Sequence, residues 1–250
     1  MKEILKVIHL KKSYETGEQT TMAVRDISFT VGEGELIAIM GASGSGKTTL
    51  LNCISTIDTP SCGQIIIAEK EVQQLTENEM AKFRRQKLGF IFQDFNLLDT
   101  LTVEENISLS LTINHISSNV IQEKVKEVAE KLGISAILKK YPYEISGGEK
   151  QRCACARAII NEPALVLADE PTGSLDSVAS KALMETIQFM NRKIGSTILL
   201  VTHDIFVAAY AKRILFLKDG MLNREIYIEE MGMEEKLRSI MGCIAQQEEI

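Results

Sequence analysis

The stretch GASGSGKTT, from Gly41 to Thr49, decides the fold of this chain. It fits the pattern G-x-x-x-x-G-K-[ST], and it lies between an apolar run, Glu35 to Met40, and the helix-like segment KTTLLNCI from Lys47. The glycines permit a tight loop whose N–H groups surround a β-phosphate. Lys47 neutralises β and γ oxygens, and Thr48 offers a hydroxyl to Mg²⁺. The pattern in this strand-to-helix context predicts a nucleotide phosphate site.

Strand-like and helix-like segments alternate on both sides of this loop, which predicts an α/β fold with a mostly parallel sheet. The segment from about Val103 to Tyr141 has no obvious strand, and it predicts a helical subdomain. From Glu229 the chain reads as an acidic helix with one apolar side, Met233, Leu237, Ile240, Met241 and Ile244, which we expect to pack on the domain, with partner binding as the alternative. The predicted strands are Ile4 to Leu10, Ala23 to Thr30, Glu35 to Met40, Gln64 to Ala68, Leu88 to Phe92, Ala164 to Ala168, Thr197 to Val201 and Arg213 to Leu217.

Two carboxylates follow the apolar run ALVLADE, namely Asp169 and Glu170. A buried strand that ends in carboxylates places them beside the nucleotide, because open α/β sheets bind ligands at the carboxyl ends of their strands. Asp169 would hold Mg²⁺ through water, and Glu170 would polarise the attacking water. Without the glycine loop, such an acidic pair is more often a solvated loop or a helix cap.

A second glycine-rich stretch, YEISGGEKQR from Tyr143 to Arg152, precedes what reads as a helix. Exposed N–H groups in the first turn of a helix carry partial positive charge and bind anions. The chain therefore contains two candidate phosphate sites.

Composition excludes several other classes of protein. Of the 250 residues, 45% are hydrophobic and 25% charged, which argues against disorder, and the net charge of −6 argues against a broad nucleic-acid surface. The five cysteines are odd in number and none forms a C-x-x-C pair, so neither a disulfide framework nor a zinc site is indicated. The N-terminus does not resemble a secretion signal and no apolar run approaches the roughly 20 residues of a membrane span. We expect any membrane role to come through a partner.

The motifs together resemble the nucleotide-binding subunit of ABC transporters over nearly the whole chain. GASGSGKTT resembles Walker A, LVLADE resembles Walker B, and ISGGEKQR resembles the ABC signature. Gln93 in FQDFNLL stands at the Q-loop, GSLD from Gly173 to Asp176 at the D-loop, and His203 in VTHD at the switch histidine. The resemblance implies a P-loop NTPase of ABC type with a mostly parallel core sheet, an N-terminal antiparallel β subdomain and a helical subdomain at about 103–160. It implies an ATP-binding domain at 1–228 and a C-terminal helical extension at 229–250.

The resemblance also implies the roles of individual residues, with ATP and Mg²⁺ as ligands. Glu170, His203 and Gln93 would be catalytic, and Thr48, Gln93 and Asp169 would hold the metal. Two chains would pack head to tail, so that Ser146, Gly147 and Gly148 of one close over the γ-phosphate on the Walker A loop of the other. The implied nucleotide-binding residues are Tyr14, Gly41, Ser43, Gly44, Ser45, Gly46, Lys47, Thr48, Thr49, Ser146, Gly147, Gly148 and Asp176.

Three of these residues have simpler interpretations when taken singly. A lone tyrosine such as Tyr14 is usually a packing residue, although the family stacks an aromatic ring on adenine at this place. An isolated glutamine such as Gln93 usually lies on the surface. A lone histidine is more often structural, but the position of His203 directly after the strand TILLV favours a role at the γ-phosphate.

The signature departs from the family pattern at two positions, with Ile145 for leucine and Glu149 for glutamine. A carboxylate suits a helix N-terminus but opposes a nearby γ-phosphate. We expect Glu149 to point away from the nucleotide and Glu149→Gln to change ATPase activity less than tenfold.

Longer stretches, including LGFIFQDFNLLDTLTVEENI, are similar to the branch of lipoprotein-release, macrolide-export, cell-division and antimicrobial-peptide-resistance ATPases, and YPYEISGGEKQR most resembles the bacitracin and lantibiotic resistance type. This implies an ATP-hydrolysing homodimer at the cytoplasmic face of a bacterial membrane, bound to an FtsX-like permease that exports, removes or senses antimicrobial peptides. A sensor histidine kinase is a further candidate partner, and nucleic acid is not. The alternatives are a cell-division type signalling or scaffolding module without solute transport, and a lipoprotein-release ATPase.

Overall fold

Ten strands form two sheets in the computed structural model, which describes residues 2–17 and 19–248. The larger sheet has the order β10-β9-β3-β8-β7-β6, and only β10 runs antiparallel to its neighbour. The smaller sheet has the order β2-β1-β4-β5 and is antiparallel throughout. The strands are β1 Glu3–Thr16, β2 Gln19–Gly32, β3 Leu36–Met40, β4 Cys62–Ile67, β5 Lys70–Glu71, β6 Leu88–Phe92, β7 Leu165–Asp169, β8 Ile198–Thr202, β9 Arg213–Lys218 and β10 Met221–Tyr227.

Helices connect the parallel strands and cover the larger sheet. Three of them, together with short 3₁₀ turns, fill the stretch between β6 and β7 that lacks a strand. In the described part of the chain no helix combines the length and the apolar character that crossing a bilayer requires. The helices are α1 Lys47–Ile54, α2 Glu77–Lys87, α3 Val103–Ile113, α4 Ser118–Lys131, α5 Gly147–Ile159, α6 Ser177–Phe189, α7 Ile205–Ala208 and α8 Met233–Glu248.

The central strands divide the core into two parts because successive side chains point to opposite faces of a sheet. On β3, Ile37 and Ile39 join the core shared with the antiparallel sheet and α1, whereas Ala38 and Met40 join the core beneath α3, α5 and α6. Every residue of β3 and β8 is buried. Burial on both faces explains why these strands read as continuous apolar runs.

The predicted fold class is confirmed, and the differences lie at element ends and edges. The predicted strand Ile4 to Leu10 extends to Thr16 in β1, because its polar continuation pairs with β2 through Ser13 opposite Met22 and Tyr14 opposite Thr21. Helix α2 and strands β5 and β10 were not predicted. They carry largely exposed side chains, so hydrophobic periodicity gives little signal there.

The C-terminal helix begins at Met233 rather than Glu229. Ile240 and Cys243 are buried in the core, but Met233 and Met241 are 47% and 49% exposed, so the expected apolar side is wrong at these two residues. Met241 lies about 100° around the helix from Ile240, at the margin of the buried stripe, and Met233 is the first residue of the helix. The domain limits 1–228 and 229–250 stay a prediction.

Candidate active site

Four strand ends of the larger sheet bring the predicted residues to one edge. Met40 pairs with Thr202, Val201 with Asp169, and Asp169 with Phe92, so β3, β8, β7 and β6 end at nearly the same level. The glycine loop, Gln93, Glu170 and His203 each follow one of these strands directly. Parallel register alone therefore gathers residues that lie far apart in sequence.

A pocket of about 630 Å³ lies at this edge. Gln93, Glu170 and His203 line it opposite the glycine loop. Gly41 and Ser45 line an adjoining cavity of about 390 Å³ behind the loop, whereas Tyr14, Asp169, Asp176 and the signature residues 146–148 line neither. The full lining of the first pocket is Ala23, Ala42, Ser43, Gly44, Gly46, Lys47, Thr48, Thr49, Gln93, Glu170, Gly173 and His203.

Glycine is required at two positions of the loop for different reasons. Gly46 precedes α1 with φ 101°, a conformation that L side chains rarely adopt, and a Cβ there would lie 2.3 Å from the carbonyl oxygen of Ala23. A Cβ on Gly41 would lie 2.2 Å from the carbonyl oxygen of Leu217 on β9. The loop thus packs against β2 and β9, which fixes the direction of its N–H groups.

The side chain of Lys47 folds back onto the backbone of the glycine loop. Its Nζ donates to the carbonyl oxygens of Gly41 at 2.8 Å and Ala42 at 2.9 Å. Burial lowers the pKa of Lys47, and the charges of Glu170 and Asp169 partly offset that effect. The backbone thus positions the ammonium group in the lining of the pocket, where it could bind a phosphate.

Asp169 ends β7 with a carboxylate oxygen, Oδ1, that is buried and has no hydrogen-bond partner. Burial raises its pKa, the charge of Glu170 adds to the rise, and Lys47 opposes it. A buried carboxylate oxygen without a donor fits a cation, which would satisfy it and favour the ionised form. Together with Thr48 at the start of α1, it fits a Mg²⁺ site. Among the described residues no group of three or more His, Cys, Asp or Glu side chains could hold a metal ion.

Glu170 is held by the last residue of β8 and by the residue that follows it. Its Oε1 lies 2.9 Å from His203 Nδ1, and its Oε2 accepts from the Thr202 hydroxyl at 3.2 Å and the His203 N–H at 3.4 Å. Its φ of 43° turns the chain sharply away from the strand. The carboxylate is 21% exposed and the imidazole 68% exposed, so both reach the pocket. A carboxylate held in this way could act as a general base, and His203 could orient it.

Gln93 contacts the segment that follows Glu170. The Ser174 hydroxyl donates to the Gln93 carbonyl oxygen at 3.0 Å. A Cβ on Gly173 would lie 2.9 Å from the Gln93 side-chain amide carbon, so glycine lets the two loops touch. Asp176 instead caps α6, because its carboxylate accepts from the Ala179 N–H at 2.8 Å.

Tyr14 belongs to a charged cluster at the side of the glycine loop. Its hydroxyl donates to Asp58 Oδ2 at 2.7 Å, and Lys12 Nζ donates to Asp58 Oδ1 at 2.6 Å. The Lys12 ammonium lies 4.8 Å from the centre of the Tyr14 ring. Burial and the hydrogen bond to Asp58 raise the pKa of Tyr14, and Thr49, which lines the pocket, opposes that rise.

The signature forms the start of α5, with Ser146 as N-cap. Ser146 and Gly147 are exposed and do not line the pocket at the strand ends. The expected outward direction of Glu149 is wrong. Its carboxylate folds back on Ser146 in a capping box, because the unpaired N–H and hydroxyl at a helix N-terminus attract it.

Sequence reasoning missed several residues of the site. Ala23, Ala42 and Gly173 line the pocket, and Asp58 and Lys12 anchor Tyr14. Ala42 and Gly173 lie within motifs already quoted, so their position was a usable signal. Ala23, Lys12 and Asp58 come from the antiparallel sheet and the end of α1, where no local pattern marks them.

Comparisons with known proteins agree with one another. The family described as ABC transporter matches residues 24–173. The chain is 52% identical to the ABC transporter ATP-binding protein YxdL of Bacillus subtilis, over 91% of this chain and 88% of that protein. It is 48% identical to the bacitracin export ATP-binding protein BceA of Halalkalibacterium halodurans, over 95% of this chain and 94% of that protein.

Solved structures give the same result. A dimeric post-hydrolysis state of the ATP-binding cassette MJ0796, bound to ADP and Pi, is 37% identical with a TM-score of 0.79, over 90% of this chain and 99% of that one. The cbiO1 protein from Clostridium perfringens, part of the ABC transporter complex cbiONQ, is 28% identical with a TM-score of 0.83, over the full length of both chains.

Proposed function

Because the chain belongs to the ABC transporter family and is an ATPase, we propose that two copies of it close around ATP. The dimer would power a membrane permease that handles antimicrobial peptides. The proposed dimer rests on one observation: the two candidate anion sites, the glycine loop and the start of α5, are separate within one chain. The pocket at the strand ends is lined by the glycine loop, whereas the exposed Ser146 lies outside it. A second copy supplies the missing face, and the dimeric cassette MJ0796 supports that arrangement.

In this proposal the residues of one protomer carry the hydrolysis. Lys47 and the loop N–H groups bind the phosphates, and Tyr14 stacks on adenine. Glu170 accepts a proton from a water that attacks the γ-phosphorus, as the bond from that phosphorus to the ADP oxygen breaks. His203 orients Glu170 and contacts the γ-phosphate, and Gln93 positions the water. The signature residues 146–148 of the partner cover the γ-phosphate.

Mg²⁺ would be held by Thr48, Gln93 and Asp169 together with phosphate oxygens, and it would neutralise charge that develops on the leaving phosphate. The unpaired buried oxygen of Asp169 supports this assignment.

The peptide assignment rests on similarity to the bacitracin export protein BceA. We propose an FtsX-like permease as the membrane partner, which would place the ATPase at the cytoplasmic face of a bacterial membrane. Co-purification of the permease followed by ATPase assays with bacitracin tests this. Stimulation by the peptide supports the proposal, whereas binding to cell-wall hydrolases without such stimulation favours the signalling alternative.

Glu170→Gln tests the catalytic assignment. Glutamine keeps the size of the side chain but is a far weaker base, so Mg-ATP binding should persist while hydrolysis falls at least about a hundredfold. Long-lived ATP-dependent dimers should accumulate, as sedimentation would detect. Glu185→Gln on the exposed side of α6 is the matched control and should behave as the parent. Normal turnover in Glu170→Gln would refute the assignment.

A further inference from the structure

Within the described residues, three α-helices begin with the same capping box, and one of them, α5, carries the signature. In α2 and α3 the boxes pair Thr76 with Glu79 and Thr102 with Glu105. In α5 the box pairs Ser146 with Glu149. The three serve one structural purpose, because each carboxylate accepts from the N–H and the hydroxyl of its N-cap residue.

At α5 the capped groups are the N–H and the hydroxyl of Ser146, and the proposed function needs the same groups to bind the γ-phosphate held by a partner copy. The Ser146 N–H donates to Glu149 Oε2 at 2.8 Å, and the Ser146 hydroxyl donates its single proton to the same oxygen at 2.7 Å. Both donors are thus engaged by a carboxylate of their own protomer. A γ-phosphate presented by a partner copy must compete with that carboxylate for them.

The competing carboxylate of Glu149 is charged, and the cations Lys140 and Arg152 interact with it. Hydrogen bonds from the Ser146 hydroxyl and N–H lower the pKa of Glu149, with the charges of Lys140 and Arg152 adding to this effect. The carboxylate is therefore ionised at neutral pH. A phosphate that replaced it would find the same donors and the same two cations, whereas a phosphate that arrived beside it would meet a like charge.

We propose that Glu149 is an intramolecular competitor for the partner's γ-phosphate, a positioning residue that weakens ATP-driven dimerisation until its side chain leaves Ser146. This inference rests on the proposed head-to-tail dimer. The proposed competition requires the negative charge of Glu149 rather than the capping box, since glutamine completes a capping box equally well without a negative charge. Each dimer contains two such helix ends, so removal of the charge acts twice.

The test measures ATP-dependent dimerisation in the Glu170→Gln background, where hydrolysis does not deplete the dimer. Analytical ultracentrifugation with Mg-ATP gives the dimer dissociation constant. We expect Glu149→Gln with Glu170→Gln to lower that constant at least about tenfold, in keeping with loss of like-charge repulsion at an interface. Added salt should narrow the difference between the two proteins, because it screens the repulsion.

Glu105→Gln, the same substitution in the box of α3, is the matched control. It should leave the dimer constant unchanged in the Glu170→Gln background, and thermal unfolding should show that both variants keep their folds. An equal or larger dissociation constant with Glu149→Gln would overturn this inference alone, because the dimer itself would still form. Absence of an ATP-dependent dimer from every variant would overturn the proposed function and this inference together.

Discussion

Single residues at this site are fixed by neighbours from other elements. Glu170 directly follows β7, but its carboxylate is oriented by Thr202 at the end of β8 and by His203 after it. Tyr14 lies on β1, but its hydroxyl is held by Asp58 beyond the end of α1. The identity of a residue therefore supplies the chemistry, and a distant partner supplies the direction.

Asp58→Ala tests that principle for the Tyr14 ring, which the proposed function places on adenine. The substitution removes the carboxylate that accepts from both Tyr14 and Lys12, so the ring should lose its fixed orientation and stack less well. We expect the dissociation constant for ATP to rise about three- to tenfold, the size of one aromatic contact. Calorimetric titration measures this.

Inorganic tripolyphosphate is the ligand control for Asp58→Ala, because it occupies the phosphate loop without an adenine ring. Its affinity should not change. Asp26→Ala on β2, whose exposed carboxylate pairs with His9, is the control variant. Equal weakening of ATP and tripolyphosphate would show that Asp58 supports the loop rather than Tyr14.

At the scale of elements, the segment after β6 is tied to two helices of the helical subdomain. Arg157 on α5 donates to the carbonyl oxygens of Asn96 and, at 2.6 Å, of Phe95. Phe95 and Asn96 both have positive φ, which these contacts help to maintain. The segment that follows Gln93 is thereby joined to the helix that begins at Ser146.

Asn106 on α3 makes the second connection. It is fully buried, accepts from the Leu98 N–H at 2.8 Å, and donates to the carbonyl oxygens of Leu98, Leu101 and Thr102 at 3.0 Å each. One side chain thus bonds four backbone groups between Leu98 and Thr102.

Asn106→Ala should lower the free energy of unfolding by about 2 kcal/mol, because buried backbone groups lose their partners. Urea denaturation followed by circular dichroism measures the change. Asn119→Ala on the exposed face of α4 is the control, and it should shift stability by less than about 0.5 kcal/mol. A loss at Asn106 no larger than that of the control would contradict this account of the segment.

At the scale of the whole molecule, the two sheets and the helices bury four of the five cysteines, whose thiols the site does not use. Cys53, Cys153, Cys155 and Cys243 are buried, and Cys62 is exposed at the start of β4. Burial raises the pKa of Cys53 to about 11 and those of Cys153 and Cys155 to about 12. These thiols therefore stay protonated at neutral pH, and the thiolate is the reactive form.

Alkylation at pH 8 should modify Cys62 and spare the buried thiols in the native chain. Mass spectrometry should show one added group per chain before denaturation and five after it, one for each cysteine of the sequence. Cys62→Ser should take up none while native. Rapid native modification of Cys153 or Cys155 would indicate that α5 leaves the core on the timescale of the labelling.

The large sheet was predictable because its strands are buried on both faces and interrupted by helices, which gives long apolar runs such as Ile198–Thr202. The glycine loop was predictable because it directly follows one apolar strand, and Asp169 and Glu170 were predictable because they stand at the end of another. Strand β10 and helix α2 were not, since their stability comes from pairing and capping rather than from a hydrophobic pattern.

The sequence by itself determined the chemistry: a phosphate loop after a strand, carboxylates after a second strand, and a helix that begins with Ser146 and two glycines. Local backbone geometry imposes these choices, because only glycine tolerates the loop and only an N-cap residue opens the helix. The tertiary structure alone decided that Asp58 holds Tyr14 and that Arg157 joins α5 to Phe95 and Asn96. These outcomes depend on which unpaired polar groups packing brings within hydrogen-bond reach, and that is a property of the folded chain in space.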